Sequence, residues 1–231
     1  MNLPRRCVAE FVGTALLVAT VIGSGIMAER LSNGNMALAL LANTIATGAA
    51  LVALIVAFGP ISGAHLNPVV SLMDAWQHGL SWGETPHYLL SQTLGGVTGA
   101  VVAHSMFGLA LVSLSTHIRS GPSQVFSEFV ATFGLVSVVW GSSRLKPSTV
   151  PFAVGAYITA AYWFTASTSF ANPAVTIARC LSDTFAGIRP MDVPWFLGAQ
   201  FAGGAAATLL FRWLTQHPAD PPRRNPDAWS A

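Results

Sequence analysis

Charge is what this sequence most lacks. Only 9% of its 231 residues are Asp, Glu, Lys or Arg, against about 25% in soluble domains, so a water-soluble globular fold is excluded. Its basic residues never gather into a run and the formal net charge is only +2, which removes nucleic acid as a partner. Cysteine is almost missing: Cys7 and Cys180 lie far apart in sequence and provide neither a disulfide framework nor a metal-ligand spacing. The six histidines (His65, His78, His87, His104, His117, His217) form no His-Glu-x-x-His or other paired-ligand pattern. Asp74, Asp183 and Asp192 have no nucleophile partner, and no glycine-rich segment carries the Lys of a phosphate loop. Enzyme chemistry, a bound metal and a cofactor therefore have no residues to rest on.

What is present is apolar sequence in long runs. Fifty-two per cent of the residues are hydrophobic, and a helical span of a bilayer needs about 20 mostly apolar residues. Six stretches meet that need: 7–27, 36–58, 86–114, 124–141, 149–168 and 193–214. The first follows Arg5 and Arg6 as a signal peptide would, but it carries Glu10 and is followed by further spans, so it reads as an uncleaved helix. With both termini in the cytoplasm, Arg5, Arg6, Arg144, Lys146, Arg212, Arg223 and Arg224 fall inside, while Arg30, Arg119, Arg179 and Arg189 fall outside. That bias favours this orientation. The proline-rich tail, 216–231, reads as disordered.

The chain also repeats itself. "AEFVGTALLV" from Ala9 matches "SEFVATFGLV" from Ser127, pairing Glu10 with Glu128. "SQTLGG" from Ser91 matches "AQFAGG" from Ala199, pairing Gln92 with Gln200, and Asn67-Pro68 matches Asn172-Pro173. Each half (1–118 and 119–215) holds three spans, an odd number, so the halves cross the membrane in opposite senses. The expected fold is an all-α membrane protein: six transmembrane helices plus two re-entrant half-helices in an inverted repeat, with functional groups near the midplane.

The Asn-Pro pairs start the half-helices, 69–77 and 174–183 by this reading. About ten residues rise about 15 Å, half of a 30 Å hydrocarbon core. Asn is a favoured N-cap and Pro a favoured first helical residue. Capping occupies the Asn oxygen and leaves its amide NH2 as a donor. Two such donors at the centre, beside two positive helix ends, would hold a lone-pair oxygen and repel cations.

These boxes, the two Glu-Phe-Val runs and the two Gln-x-x-Gly-Gly runs make the chain resemble the aquaporin (major intrinsic protein) family over nearly its whole length. The resemblance implies a homotetramer with one pore per subunit, lying in the lipid bilayer and passing water and small neutral solutes; the short loops and compact size point to a bacterial inner membrane. It places Asn67, Pro68 and Val69, with Asn172, Pro173 and Ala174, at the pore centre. It makes the carbonyls of Gly63, Ala64 and His65 a cytoplasmic ladder, and Glu10 and Glu128 braces for the re-entrant loops. Family spacing assigns the outer constriction to Thr47, Ala160, Ser169 and Val175, with Phe170 in place of Ser169 if the loop differs by one residue. Val69 stands where the family usually has Ala. Val175 stands where it usually has Arg, and Thr176 where glycerol facilitators have Asp. A constriction built this way is expected to be wide and weakly polar. It would pass glycerol, urea and the undissociated hydroxides of arsenic(III) and antimony(III). An orthodox water channel and a formate/nitrite-type anion channel are the alternatives. Arg179, one turn beyond Val175, is open to three roles: a partial substitute for the missing cation, an ion pair with Asp183, or a residue of the outer vestibule.

Overall fold

The computed structural model describes residues 1–215, and every regular element among them is helical. Eight α-helices follow in order: α1 Leu3–Leu31, α2 Met36–Ser62, α3 Pro68–Trp76, α4 Thr85–Met106, α5 Pro122–Leu145, α6 Val150–Phe164, α7 Pro173–Arg179 and α8 Val193–Leu214. Four of them (α1, α2, α5 and α8) are long and apolar enough to cross a membrane by length and composition. α4 has 22 residues, enough to cross, but it carries more polar side chains. α6 has only 15 residues and reaches further through the 3-10 turn Pro147–Thr149 that precedes it.

Helix ends depart from the expected spans for local reasons. The third span ends at Met106, eight residues before the expected limit of 114. Gly108 there takes φ +65°, and the buried His104 ring bonds the Leu111 carbonyl through Nδ1 at 3.0 Å. Residues 113–115 then run beside 180–181, with Ser113 N–H on the Leu181 carbonyl and Ser115 N–H on that of Cys180. Those donors satisfy carbonyls that a longer α7 would have used, so α7 stops at Arg179 instead of 183. The fifth span stops at Phe164, because Thr165 is already extended. The tail after 215 lies outside the described residues.

The polarity of the packing is inverted relative to a soluble protein. Val8, Leu16, Ile45, Val56, Leu90, Phe126, Phe152 and Trp163 are exposed, whereas Glu10, Gln92, Glu128 and Gln200 are wholly buried. Hydrocarbon outside and satisfied hydrogen bonds inside are what a bilayer demands of a chain. The helices approach through glycine. A Cβ on Gly95 would run into the Phe11 carbonyl, and one on Gly203 into the Phe129 carbonyl, so α1 meets α4 and α5 meets α8 in the same way. Across the halves, α2 and α6 meet at Gly48 and Gly155.

Candidate transport passage

The site grows from two buried carboxylates. Glu10, on α1, accepts from Ser62 Oγ (2.6 Å) and His65 N (3.0 Å) on Oε1, and from Leu66 N (2.7 Å) and Gln92 Nε2 (2.8 Å) on Oε2. Glu128, on α5, accepts from Phe170 N (2.8 Å), Ala171 N (2.9 Å) and Gln200 Nε2 (2.6 Å). Each Gln also donates to a half-helix hydroxyl, Gln92 to Ser71 and Gln200 to Thr176, both at 2.8 Å.

The residues held this way need holding. Ala64 and Leu66 before α3, and Ser169 and Ala171 before α7, have φ between +47° and +50°. Left-handed backbone without glycine costs about 1–3 kcal/mol per residue. It persists because each carboxylate accepts consecutive N–H groups of the loop beside it. Both loops then end at an Asn N-cap. Asn67 Oδ1 accepts from Val69 N at 2.9 Å, and Asn172 Oδ1 accepts from Ala174 N at 3.0 Å.

The two half-helices meet through those same side chains. Asn67 Nδ2 donates to the Ala171 carbonyl at 2.8 Å, and Asn172 Nδ2 donates to the Leu66 carbonyl at 2.7 Å. The exchange is reciprocal: each amide bonds the residue preceding the opposite Asn. An NH2 has two hydrogens, so one braces the centre and the second is left for the passage. The sequence implied both as free donors; half of that capacity is structural.

One cavity of about 630 Å³ runs past these residues, and Asn67 and Asn172 both line it. On one side it is bordered by Gly63, Ala64, His65, Pro60 and Ser143, and on the other by Thr47, Tyr162, Ser169, Phe170, Val175 and Arg179. His65 is fixed by Ser71 Oγ (3.0 Å) on Nδ1 and lies 3.6 Å from the Asp74 carboxylate through Nε2. Tyr88 pins the end of α2 by donating to the Ser62 carbonyl at 2.8 Å, and itself accepts from Arg6 Nε at 2.7 Å.

Several expected positions fall elsewhere. Pro68, Val69, Pro173 and Ala174 are buried supports and do not border the cavity. Val69 faces Gly204 of α8, and Ala174 faces Gly96 of α4, so each half-helix packs on a glycine of the opposite half. The Val in place of Ala is accommodated in that contact, with Met73, Val136 and Ala207 around it. Ala160 is a correction: it is exposed on the outside of α6. The cavity face of α6 is Val150, Val154, Ile158 and Tyr162, a four-residue repeat. Two positions along a helix turn the side chain by about 200°, which takes Ala160 off that face. Ser169 and Phe170 both border the cavity, so neither replaces the other. Tyr162 OH lies 3.3 Å from Thr47 Oγ1 and links α6 to α2 across the outer part of the passage.

Arg179 is not paired with Asp183. Asp183 accepts from Thr116 N (2.8 Å) and Thr116 Oγ1 (3.0 Å), and these bonds, the backbone one first, hold its carboxyl below the usual range. Arg179 is buried instead and borders the cavity, with its guanidinium 3.3 Å from the centroid of the Phe170 ring. Sequence reasoning missed Tyr162 and left Arg179 open among three roles, of which the ion pair with Asp183 is not the one observed. The four-residue apolar repeat on α6 was a readable signal for the first. For the second, the four-residue spacing from Val175 was the signal, since it puts both side chains on one face of α7.

A model of the major intrinsic protein family matches residues 1–167 and ends just before the second Asn-Pro box. The chain is 53% identical over 220 residues to "Aquaglyceroporin AqpS" of Rhizobium meliloti (strain 1021), covering 95% of this chain and 94% of that protein. It is 30% identical to "Aquaporin NIP2-2" of Zea mays over 92% of this chain and 71% of the maize protein. Its fold superposes on the X-ray structure of the aquaglyceroporin from Plasmodium falciparum with a TM-score of 0.70, at 19% identity, covering 92% and 95% of the two chains.

Proposed function

Because this chain belongs to the major intrinsic protein family, a family of membrane channels for water and small solutes and not of enzymes, we propose that its own passage favours small neutral solutes through a widened outer constriction. Glycerol and urea fit that constriction, as do the undissociated hydroxides of arsenic(III) and antimony(III), which resemble polyols in shape and hydrogen bonding. The observation that carries the reading is Val175 on the cavity wall three residues after Asn172. A short branched hydrocarbon there leaves room that an Arg side chain would fill. Family membership sets aside the formate/nitrite alternative. Cytoplasmic termini agree with the placement of Lys and Arg, and a bilayer location agrees with the apolar exterior; a homotetramer is carried over from the family resemblance.

The reading divides water from solute, so both are measured. Purified protein in liposomes is mixed with hyperosmotic glycerol or urea in a stopped-flow instrument, and light scattering follows the volume. The parent is expected to pass both solutes. Val175→Arg is expected to lower glycerol and urea flux by about tenfold or more while water flux falls far less, since constriction diameter acts most strongly on the larger molecule. High water flux with negligible solute flux in the parent would instead identify an orthodox water channel.

A further inference from the structure

We propose that Arg179 is the residue that sets charge selectivity in this channel. It acts one helical turn outside Val175, so that width and charge, two jobs normally joined in one side chain, are carried by separate residues. The inference rests on the channel reading above. Four residues along α7 place Arg179 about 6 Å beyond Val175, and both border the same cavity. Its Nε donates to the Ala186 carbonyl. Its Nη1 is buried and has no hydrogen-bond partner among the described residues. No carboxylate forms an ion pair with it among the described residues; the three such pairs are Arg6 with Glu84, His65 with Asp74, and Arg189 with Asp192.

A guanidinium buried with no counter-ion is expensive to keep, so what surrounds it is informative. One neighbour is the Phe170 ring, whose face attracts a cation and whose centroid is 3.3 Å away. Phe170 is itself fixed by Glu128 on its N–H and by Phe196 edge-on at 5.2 Å. Arg119 also lies over Phe170, at 5.1 Å, tied to the carbonyls of Gly187 (2.7 Å) and Ser167 (3.2 Å). The second cation makes the outer end more positive instead of neutralising it. Ser169 Oγ is likewise buried without a partner, on the same stretch of wall. One uncompensated charge therefore borders a space where a solute must shed water. From there the charge repels cations.

Urea and guanidinium test this because they share a planar shape and differ in charge. Fluxes of both into liposomes are compared for the parent, Arg179→Lys, Arg179→Gln and Arg179→Met, with melting temperature in detergent as a check on assembly. The parent and Arg179→Lys are expected to pass urea and exclude guanidinium. Arg179→Gln keeps a donor and a planar group, and Arg179→Met keeps length. Both are expected to raise the guanidinium-to-urea flux ratio by about tenfold or more. The proposal is overturned if either neutral variant assembles, passes urea and excludes guanidinium as the parent does. It is also overturned if only Arg179→Lys assembles, because the charge would then serve the fold. Absence of urea flux in the parent would reject the channel reading itself, a separate outcome.

Discussion

At the residue scale the most constrained groups are Glu10 and Glu128, neither of which borders the cavity. Removing the Glu10 carboxylate takes the acceptor from four donors, three of them in buried bonds, at about 1–3 kcal/mol for each buried one before relaxation. It also releases the left-handed backbone at Ala64 and Leu66. Glu10→Ala is therefore expected to lower stability by at least about 3 kcal/mol, near 10 °C in melting temperature for a chain of this size. Glu10→Gln keeps one acceptor oxygen and is expected to lose less. Thermal unfolding of the detergent-solubilised protein checks the order, and equal melting temperatures for Glu10→Ala and the parent would contradict it. The role of the glutamates was legible because the repeat pairs each with an Asn-Pro box and a Gln. The cavity-facing residue of α6 was not: counting back from Asn172 assumes a fixed loop, and the extended stretch after Phe164 shifts the helix face from Ala160 to Ile158 and Tyr162.

At the scale of elements, the short helices α3 and α7 were legible from the Asn-Pro pairs, because N-cap chemistry is local. The end of α3 was legible too, Trp76 against an expected 77, whereas the end of α7 was not, since it depends on carbonyls captured by residues 113–115 from the other half. The two ends of the third span tell the same story: Thr85 is within one residue of the expected start, while the helix turns off at Gly108, where hydrophobicity alone would continue it. Helix pairing depends on glycines that sequence alone does not rank. Gly203 and Gly198 sit on the same helix, α8. A Cβ at Gly203 meets the α5 backbone at Phe129 and Phe133, whereas one at Gly198 meets nothing within 4 Å. Gly203→Ala is expected to cost about 1–3 kcal/mol. Gly198→Ala is expected to be neutral or to gain up to about 1 kcal/mol from helix propensity. Melting temperatures of the two single variants decide it, and a Gly203→Ala protein as stable as Gly198→Ala would refute the close approach of α5 and α8.

At the scale of the molecule, two stranded loops with polar backbone are buried inside an apolar shell, and the reciprocal Asn67 and Asn172 bonds join them. Both halves line the cavity: α1, α2 and the first loop from one, α5, α6 and the second loop from the other. The inverted repeat was readable because an odd number of spans separates equivalent motifs. What the buried Arg settles against was not, because that depends on a ring and a carbonyl brought together only by the fold. The central claim is that solute moves through the cavity that both Asn side chains border. The most direct measurement places a thiol there: Val175→Cys in a Cys7→Ser, Cys180→Ser background, treated in liposomes with a small methanethiosulfonate reagent while urea flux is followed. The account predicts that labelling stops urea flux and that a reducing agent restores it; full labelling with flux unchanged would contradict it.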